Sequence, residues 1–382
     1  MNLGGVSFVP RICTVIIMSR LKATLEQGQS IWLDYIRRDL VDGGALASMV
    51  KEDGLRGLTS NPAIFEKAIA ASTLYDASIA GHVRAGQRDP EQLVEVLAIE
   101  DIRMAADVFW PVYQETNALD GYVSLEVSPR LASDSQRTLD EARRLWHTVG
   151  RPNLMIKVPG TPAGVPVVRA LIAEGINVNV TLLFSRAAYV AVAEAYLLGL
   201  EDRVTKGEPI DKIASVASFF ISRIDAVMDA TLEGEATVLA GRIAIANAKL
   251  AYQDFLALVA TPRAQALAAK GAMPQRLLWA STGTKNPALR DTLYIEQLIG
   301  QATVNTVPPA TLDAFRDHGE VQRTLDAEVP TAIAVMAAVE KLGLPFEAAT
   351  DKLLIDGVKL FVDAWDKLLA AVAAKRDALS DE

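Results

Sequence analysis

The sequence has 382 residues, of which 51% are hydrophobic and 22% are charged, a composition that suits one large α/β domain or two smaller ones. Its net charge of −9 at pH 7 argues against a nucleic acid or an anionic membrane as a partner, although a local basic cluster could still hold a small anion. The single cysteine, Cys13, excludes an internal disulfide framework. The three histidines lie far apart without zinc-site spacing, so no metal site is predicted.

The first segment, residues 1–17, is apolar but is interrupted by Pro10 and Arg11. It is too short to span a bilayer and has neither a basic leader nor a small-residue cleavage site after it. We interpret it either as a disordered extension or as residues upstream of the true translation start. Residues 18–382 are then expected to form a single domain of a cytoplasmic protein.

Beyond residue 30, short β-like runs alternate with longer helical segments rich in alanine and leucine, such as residues 89–116 and 185–204. The runs cover residues 31–34, 56–61, 121–128, 153–158, 176–184, 213–220, 276–282 and 301–308. Eight strands alternating with helices predict a closed parallel (β/α)8 TIM barrel, and the helical sequence after residue 309 predicts additional C-terminal helices. A doubly wound open sheet is the alternative, weakened because no Gly-rich phosphate turn opens a helix.

Polar side chains interrupt these apolar runs at the end of nearly every predicted strand. Taken one at a time they have structural explanations: Asn61 with Pro62 as a turn, Thr181 as a β-former, and Asp34 as a helix cap. The C-terminal strand ends of a (β/α)8 barrel converge on its active site. The recurrence of polar side chains at these ends therefore indicates a ligand site. The strand-end residues are Asp34, Asn61, Glu126, Lys157, Asn179, Thr181, Ser218, Ser281, and Asn305 or Thr306.

The fourth run places Lys157 between apolar residues in PNLMIKVPGTPAG (residues 152–164). A lone lysine in such a run usually lays its stem on apolar surface and extends its ammonium to water. A desolvated lysine amine is instead a nucleophile that condenses with a ketone to a Schiff base, and neighbouring carboxylates such as Asp34 and Glu126 then carry the protons. A lysine with two acids and no metal favours a Schiff-base aldolase over a hydrolase.

Six segments of the sequence resemble the transaldolase family, and in particular its bacterial branch with additional helices. They are LTSNPAIFEKAI (58–69), VSLEVSP (123–129), LMIKVPGTPAG (154–164), GINVNVTLLFS (175–185), ASFFISRID (217–225) and WASTGTKNP (279–287). The similarity runs from about residue 21 to the C-terminus, includes every predicted strand, and is most specific in SNPAIF and NVTLLFS. The resemblance implies a cofactor-free Schiff-base enzyme of the class I aldolase superfamily.

The resemblance also implies roles for the four residues expected to be catalytic. Lys157 matches the Schiff-base lysine, and Asp34 matches the acid that moves the proton of the C4 hydroxyl during cleavage. Glu126 and Thr181 match the pair that holds the water used to form and hydrolyse the imine.

A second group matches the residues that bind substrate. Asn61 and Asn179 match amides that hold hydroxyls of the dihydroxyacetone unit. Ser218 and Arg223 match a segment that binds hydroxyl and phosphate, beside Phe220 as an aromatic wall. On the seventh strand, Ser281 and Lys285 occupy a stretch where the family often has a phosphate-binding arginine, so phosphate recognition departs from the family pattern there.

The implied reaction moves a dihydroxyacetone unit from sedoheptulose 7-phosphate to glyceraldehyde 3-phosphate in the pentose phosphate pathway. Two alternatives stay open at this point: a fructose 6-phosphate aldolase, and a catalytically silent barrel that binds sugar phosphates. The expected partners are small-molecule sugar phosphates, with no cofactor, no metal, no nucleic acid and no membrane, and the chain is expected to be a monomer or a homodimer.

Overall fold

The computed structural model describes residues 19–380, so the predicted extension at residues 1–17 lies outside the described residues. Eight parallel strands close into a barrel in chain order, and the last strand pairs with the first. The strands are β1 Gln29–Asp34, β2 Gly57–Thr59, β3 Tyr122–Glu126, β4 Leu154–Pro159, β5 Val178–Leu183, β6 Ser215–Phe220, β7 Arg276–Ala280 and β8 Thr303–Val307. The predicted (β/α)8 barrel is therefore confirmed.

Helices surround the barrel, and the additional helices predicted after residue 309 are present. The helices are α1 Arg20–Glu26, α2 Arg38–Asp42, α3 Ala45–Ser48, α4 Pro62–Ala70, α5 Asp76–Arg84, α6 Pro90–Glu115, α7 Ser135–Val149, α8 Gly164–Ala173, α9 Arg186–Thr205, α10 Ser222–Met228, α11 Ile243–Val259, α12 Pro262–Ala268, α13 Leu293–Glu296, α14 Pro309–His318, α15 Val329–Lys341 and α16 Phe346–Ser380. Within this described part of the chain no single helix is long and apolar enough to cross a membrane, although two bent helix pairs together reach the required length.

The strands are buried on both faces, as expected for a parallel sheet covered by helices. Their register sets polar side chains at one level, because Glu126 of β3 pairs with Lys157 of β4, and Lys157 pairs with Asn179 of β5. The barrel thus brings together at its C-terminal mouth three residues that are far apart in the sequence.

Each strand begins and ends within two residues of its predicted run, and two strands show local features that the runs do not predict. β2 ends at Thr59, before Asn61, because the Asn61 side chain accepts a hydrogen bond from the Ile64 amide at 3.1 Å and caps α4. In β5 the register with β6 shifts between Val180 and Leu183, where Leu182 has a φ of 62°. Such an irregularity re-aims the neighbouring side chains.

The opposite end of the barrel is filled by a buried polar cluster. The Arg276 guanidinium at the start of β7 donates to an Asp120 carboxylate oxygen at 2.9 Å and to the Ser30 hydroxyl at 3.1 Å. Asp120 also accepts from Ser30 at 2.6 Å and from the Trp32 indole at 3.1 Å. The ion pair is almost completely buried, and the hydrogen bonds around it make this cluster a structural network.

Helix α16 runs over the C-terminal mouth of the barrel and packs against α4, α10 and β5. Two of its side chains fix the helix through polar contacts outside the mouth. Lys375 donates to Asp76 at 2.7 Å and to the Ser72 carbonyl at 2.8 Å, and Asp366 pairs with Arg130 at 2.6 Å. The helix therefore belongs to the surroundings of any site built at the mouth.

Candidate active site

Lys157 is the central residue of the mouth and is only 5% exposed. Its ammonium nitrogen donates to the Ser60 carbonyl at 3.0 Å and lies 3.5 Å from a carboxylate oxygen of Glu126. The alternative in which the ammonium reaches water is therefore wrong, because both its stem and its nitrogen are enclosed by protein. A desolvated amine can act as a nucleophile, and a neighbouring carboxylate can carry the protons of such a reaction.

Glu126 is buried as deeply as Lys157, with 3% of its side chain exposed. Burial raises its pKa from an ordinary 4.5 to about 7; Lys157 and Arg223 lower it and Asp34 raises it further. Neither carboxylate oxygen has a hydrogen-bond partner among the described residues, apart from the longer ion-pair contact with Lys157. A carboxyl group that titrates near neutral pH is suited to general acid–base catalysis.

Asp34 occupies the end of β1 and is the second acid of the site. It accepts a hydrogen bond of 2.7 Å from the Thr59 hydroxyl, which in turn lies 2.6 Å from the Thr306 hydroxyl. Thr59 has one proton and gives it to Asp34, so Thr306 must donate to Thr59. Burial raises the pKa of Asp34, against the lowering effects of Lys157, the Thr59 hydrogen bond and Arg223.

The Asn179 amide bridges two serines beside Lys157. Its nitrogen donates to the Ser124 hydroxyl at 3.0 Å, and its oxygen accepts from the Ser218 hydroxyl at 2.6 Å. All three side chains are almost fully buried. The chain of hydrogen bonds fixes which end of the amide faces each strand and holds the two predicted substrate-binding residues in one network.

Thr181, two residues further along β5, is fully buried, and its hydroxyl has no hydrogen-bond partner among the described residues. The backbone of Pro159 on β4 pairs with Thr181 in the barrel register. A buried hydroxyl without a partner costs free energy unless a ligand or water satisfies it. Thr181 therefore has the free hydrogen-bonding capacity that the role predicted for it needs.

Arg223 and Phe220 form the cationic side of the mouth. The Arg223 guanidinium lies 5.0 Å from the centre of the Phe220 ring, and Phe220 packs against Phe184. One guanidinium nitrogen is buried without a hydrogen-bond partner in the described chain. Burial lowers the pKa of Arg223, while Asp34 and Glu126 raise it. An arginine with unused donors can bind a phosphate bidentately.

Three predicted site residues have other positions or contacts. Asn61 caps α4 with its oxygen, which leaves its amide nitrogen for a ligand. Ser281 follows β7 with a φ of 56°, and its hydroxyl lies 3.0 Å from that of Ser222. Lys285 is exposed in the loop after β7, and none of the contacts described joins it to Arg223. Arg223 and Lys285, each expected in a stretch that binds phosphate, thus make no direct contact with each other among those described.

Helix α16 adds residues that no strand-end pattern could have predicted. Gly357, Phe361 and Trp365, which we call the roof residues, are spaced by four and so lie on one face of the helix. A Cβ placed on Gly357 would lie 2.9 Å from the Leu182 side chain, which shows how closely α16 approaches β5. The Phe361 ring, 4% exposed, is centred 5.8 Å from the Lys157 nitrogen.

Trp365 reaches the other side of the mouth, where it lines a small cavity together with Glu126 and Asn61. The cavity has about 40 Å³ of space for the centres of water molecules, more than the roughly 10–15 Å³ that one water requires. The Trp365 indole nitrogen is buried and has no hydrogen-bond partner in the described residues. The cavity is therefore lined by both polar and apolar side chains, whereas Lys157 itself faces the Phe361 ring.

Several residues of the site are not among those predicted from the sequence. Thr59, Ser60 and Ser124 contact Asp34, Lys157 and Asn179, although each lies within a segment already singled out by its resemblance. Alternation along the strand could have identified Ser124, two positions before Glu126. The roof residues carry no such signal, because helical spacing alone cannot reveal which surface an amphipathic face covers.

The fold and this cluster define a class: a (β/α)8 barrel enzyme with a buried lysine, two acids and an unsatisfied arginine at its strand ends. The sequence profile described as Transaldolase/Fructose-6-phosphate aldolase matches residues 31–372. A protein named transaldolase from Trichodesmium erythraeum is 47% identical over 362 residues, covering 91% of this chain and 95% of the relative. Another, from Thiobacillus denitrificans, is 48% identical over 359 residues, covering 93% of this chain and 100% of the relative.

The chain belongs to the transaldolase/fructose-6-phosphate aldolase family. A further relative, named transaldolase 2, from Nostoc sp. strain PCC 7120, is 48% identical and covers 93% of this chain and 97% of its own length. The family resemblance predicted from the sequence is confirmed, and the chain is an enzyme of the transaldolase type. A catalytically silent barrel is thereby set aside.

Proposed function

We propose that the enzyme transfers a dihydroxyacetone unit from sedoheptulose 7-phosphate to glyceraldehyde 3-phosphate, giving erythrose 4-phosphate and fructose 6-phosphate. The observation that carries this proposal is the buried Lys157 ammonium, held 3.5 Å from a Glu126 carboxylate whose oxygens are otherwise unpartnered. The family match supports the same chemistry, and the resemblance of the motifs supplies the substrates.

In the proposed mechanism, the Lys157 ammonium gives a proton to the Glu126 carboxylate, and the resulting neutral amine attacks the donor ketone. Glu126 then returns this proton to the carbinolamine hydroxyl, which leaves as water. Asp34 takes the proton of the C4 hydroxyl, the bond between C3 and C4 breaks, and the electron pair passes into the iminium to give an enamine. The enamine carbon then adds to the acceptor aldehyde, whose oxygen takes the proton back from Asp34. Water held by Glu126 and Thr181 hydrolyses the product imine.

Borohydride trapping tests the covalent step. Reduction in the presence of fructose 6-phosphate should add a dihydroxyacetone-derived mass to the peptide that contains Lys157, and to no other peptide. Lys157→Ala should abolish both the adduct and turnover while it leaves the circular-dichroism spectrum unchanged. A labelled peptide elsewhere, or an active enzyme that traps nothing, would refute the assignment.

The family description also includes fructose 6-phosphate aldolase, in which the enamine is protonated and dihydroxyacetone is released. Turnover of fructose 6-phosphate alone, compared with turnover in the presence of an acceptor aldose, separates the two activities. We expect the acceptor to raise the rate of donor cleavage strongly. Equal rates with and without acceptor would make the chain an aldolase.

The proposed setting is the non-oxidative pentose phosphate pathway in the cytoplasm, with small sugar phosphates as partners and the chain as a monomer or homodimer. No cofactor takes part in the proposed steps. An excess of chelator should therefore leave the transfer rate unchanged. A large loss that added metal reverses would instead indicate an aldolase in which a cation stabilises an enolate.

A further inference from the structure

The roof residues of α16 cover the mouth in a definite order. Gly357 lies against Leu182 of β5, Phe361 lies over the Lys157 nitrogen of β4, and Trp365 lines the cavity beside Glu126 of β3. One helical face therefore crosses three neighbouring strand ends. Gly357 and Phe361 offer no hydrogen-bonding side-chain group, whereas the Trp365 indole nitrogen is a buried donor without a partner in the described structure.

This order matters because the enamine on Lys157 has two fates. In transfer, its nucleophilic carbon bonds to the carbonyl carbon of the acceptor aldehyde, and the aldehyde oxygen takes up a proton. In release, the same carbon takes up a proton instead, and one water hydrolyses the resulting iminium to dihydroxyacetone and the free Lys157 amine. Water is needed at the imine in both cases, but water or another proton donor close to the carbon favours release alone.

We propose that Phe361 is a specificity-determining residue that keeps water away from the enamine carbon and so favours transfer over release. The proposal rests on the proposed function of Lys157. The Phe361 ring offers no hydrogen bond with which to hold a water molecule, and it is 4% exposed directly above the amine. The cavity at Trp365 has room for water beside Glu126, on the side where imine hydrolysis requires it.

Contacts at other positions of α16 also hold the helix that carries Phe361. Gly357 allows α16 to approach β5 closely, since any Cβ there would contact the Leu182 side chain at 2.9 Å. Lys375 and Asp366 anchor the helix further along at Asp76 and Arg130. Shortening the Phe361 side chain should therefore open space above Lys157 and leave the helix in place.

The test compares Phe361→Ala and Phe361→Leu with Leu360→Ala, a neighbouring position on α16 that is 55% exposed. The measured quantity is a ratio of two rates with fructose 6-phosphate as the donor. It is the rate of dihydroxyacetone release without acceptor divided by the rate of transfer to erythrose 4-phosphate. We expect this ratio to rise about tenfold in Phe361→Ala. Phe361→Leu, which keeps an apolar cover, should rise less, and Leu360→Ala should match the wild type.

Turnover in D2O gives a second measurement, because protonation of the enamine carbon leaves deuterium on the released dihydroxyacetone. Deuterated product should increase in parallel with the ratio. A Phe361→Ala ratio within about twofold of the wild type would overturn the proposal, whatever happens to the separate rates. If Phe361→Ala fails to fold, Phe361→Leu carries the same comparison.

Borohydride trapping separates this failure from failure of the proposed function. An adduct on Lys157 in the wild type and in all three variants, with an unchanged ratio, would overturn the role of Phe361 alone. Absence of the adduct from an active wild type would overturn the proposed function, and the role of Phe361 with it.

Discussion

At the scale of single residues, the mouth retains hydrogen-bonding atoms that the protein itself does not satisfy. The oxygens of Glu126, the hydroxyl of Thr181 and one nitrogen of Arg223 are buried without hydrogen-bond partners in the described chain. Proteins rarely leave such atoms unpaired, because each unmade hydrogen bond costs roughly 1–3 kcal/mol. These three residues lie at or near strand ends of the mouth, where a polar ligand can satisfy them, although other unpartnered atoms, such as those of Gln29 and Gln275, lie elsewhere in the described chain.

Glu126 should make the stability of the wild type depend on pH. Its pKa of about 7 in the folded protein exceeds the ordinary 4.5, so between these values the folded state binds more protons than the unfolded state. The free energy of unfolding should therefore fall by up to about 3 kcal/mol as the pH rises through this window. Above the window, the contribution of Glu126 to the free energy of unfolding should be constant.

Urea unfolding of the wild type and Glu126→Gln across pH 4.5–7 measures this effect, because the variant lacks the titrating group. The difference in unfolding free energy between the two proteins should change in favour of Glu126→Gln as the pH rises. A difference that stays constant over the whole window would contradict the raised pKa.

Arg223 should bind the phosphate of the sugar. Loss of a charge-assisted contact costs about 1.5–3 kcal/mol, or roughly ten- to a hundredfold in affinity. Arg223→Ala should therefore raise KM for phosphorylated donors and spare unphosphorylated dihydroxyacetone donors, as steady-state kinetics with both donor types will show. Equal losses with both donor types would assign Arg223 a role in stability or in the chemical step.

Lys285→Ala tests whether this exposed lysine contributes to phosphate binding, and an unchanged KM would show that it does not.

The residues proposed as catalytic could be selected from the sequence because each interrupts an apolar strand at its end, as Lys157 and Glu126 do. Their mutual contacts could not be predicted, because the strand register decides which residues face each other on neighbouring strands. Lys285 illustrates the limit: its place after β7 suggested a phosphate contact, but the loop carries it to an exposed position. Phe361 illustrates another limit of prediction from the sequence, because its contact with Lys157 joins residues 204 positions apart, from 157 to 361.

At the scale of elements, β1 and β2 are joined by a close contact between a glycine and an indole. A Cβ on Gly57 would lie 2.6 Å from ring atoms of Trp32, which is fully buried. The strand order was predictable from the alternation of runs with helices, whereas this contact was not, because it depends on which face of each strand meets the other. β2 was also shorter than predicted, because Asn61 begins a helix there.

Gly57→Ala should destabilise the protein by about 1–3 kcal/mol, because the added methyl group forces Trp32 or the strand to move. Gly81→Ala is the matched control: Gly81 lies inside α5, where an added Cβ meets nothing within 4 Å. There alanine should stabilise the helix by roughly 0.5–1 kcal/mol. Thermal unfolding of both variants measures the two effects, and a loss of similar size at both positions would argue against overpacking at Trp32.

At the scale of the whole molecule, the two ends of the barrel have different tasks. The base holds a satisfied ion pair between Arg276 and Asp120, while the mouth holds Lys157 and Glu126 with unused hydrogen-bonding capacity. This division follows the general rule that catalysis occupies the C-terminal face of such barrels and stability the other. The closed barrel and its added helices were predictable from sequence; the buried base pair was not, because Arg276 begins a strand like any surface arginine.

Asp120→Asn should therefore lower stability without lowering kcat. Removing one partner of a buried ion pair leaves an uncompensated charge and costs about 3–5 kcal/mol. Asp107→Asn serves as a control, because its pair with Arg151 is exposed and should contribute less than about 1 kcal/mol. Urea unfolding and transfer kinetics on the same preparations measure both quantities. A loss of kcat in folded Asp120→Asn would show that the base and the mouth are coupled.

The position of α16 in the chain also has a consequence for biosynthesis. All eight strands leave the ribosome before the helix that lies over Lys157. A nascent chain therefore carries every strand of the barrel, with Lys157, before it carries the Phe361 ring that covers the Lys157 nitrogen. The cover of the mouth is thus among the last parts of the enzyme to be synthesised.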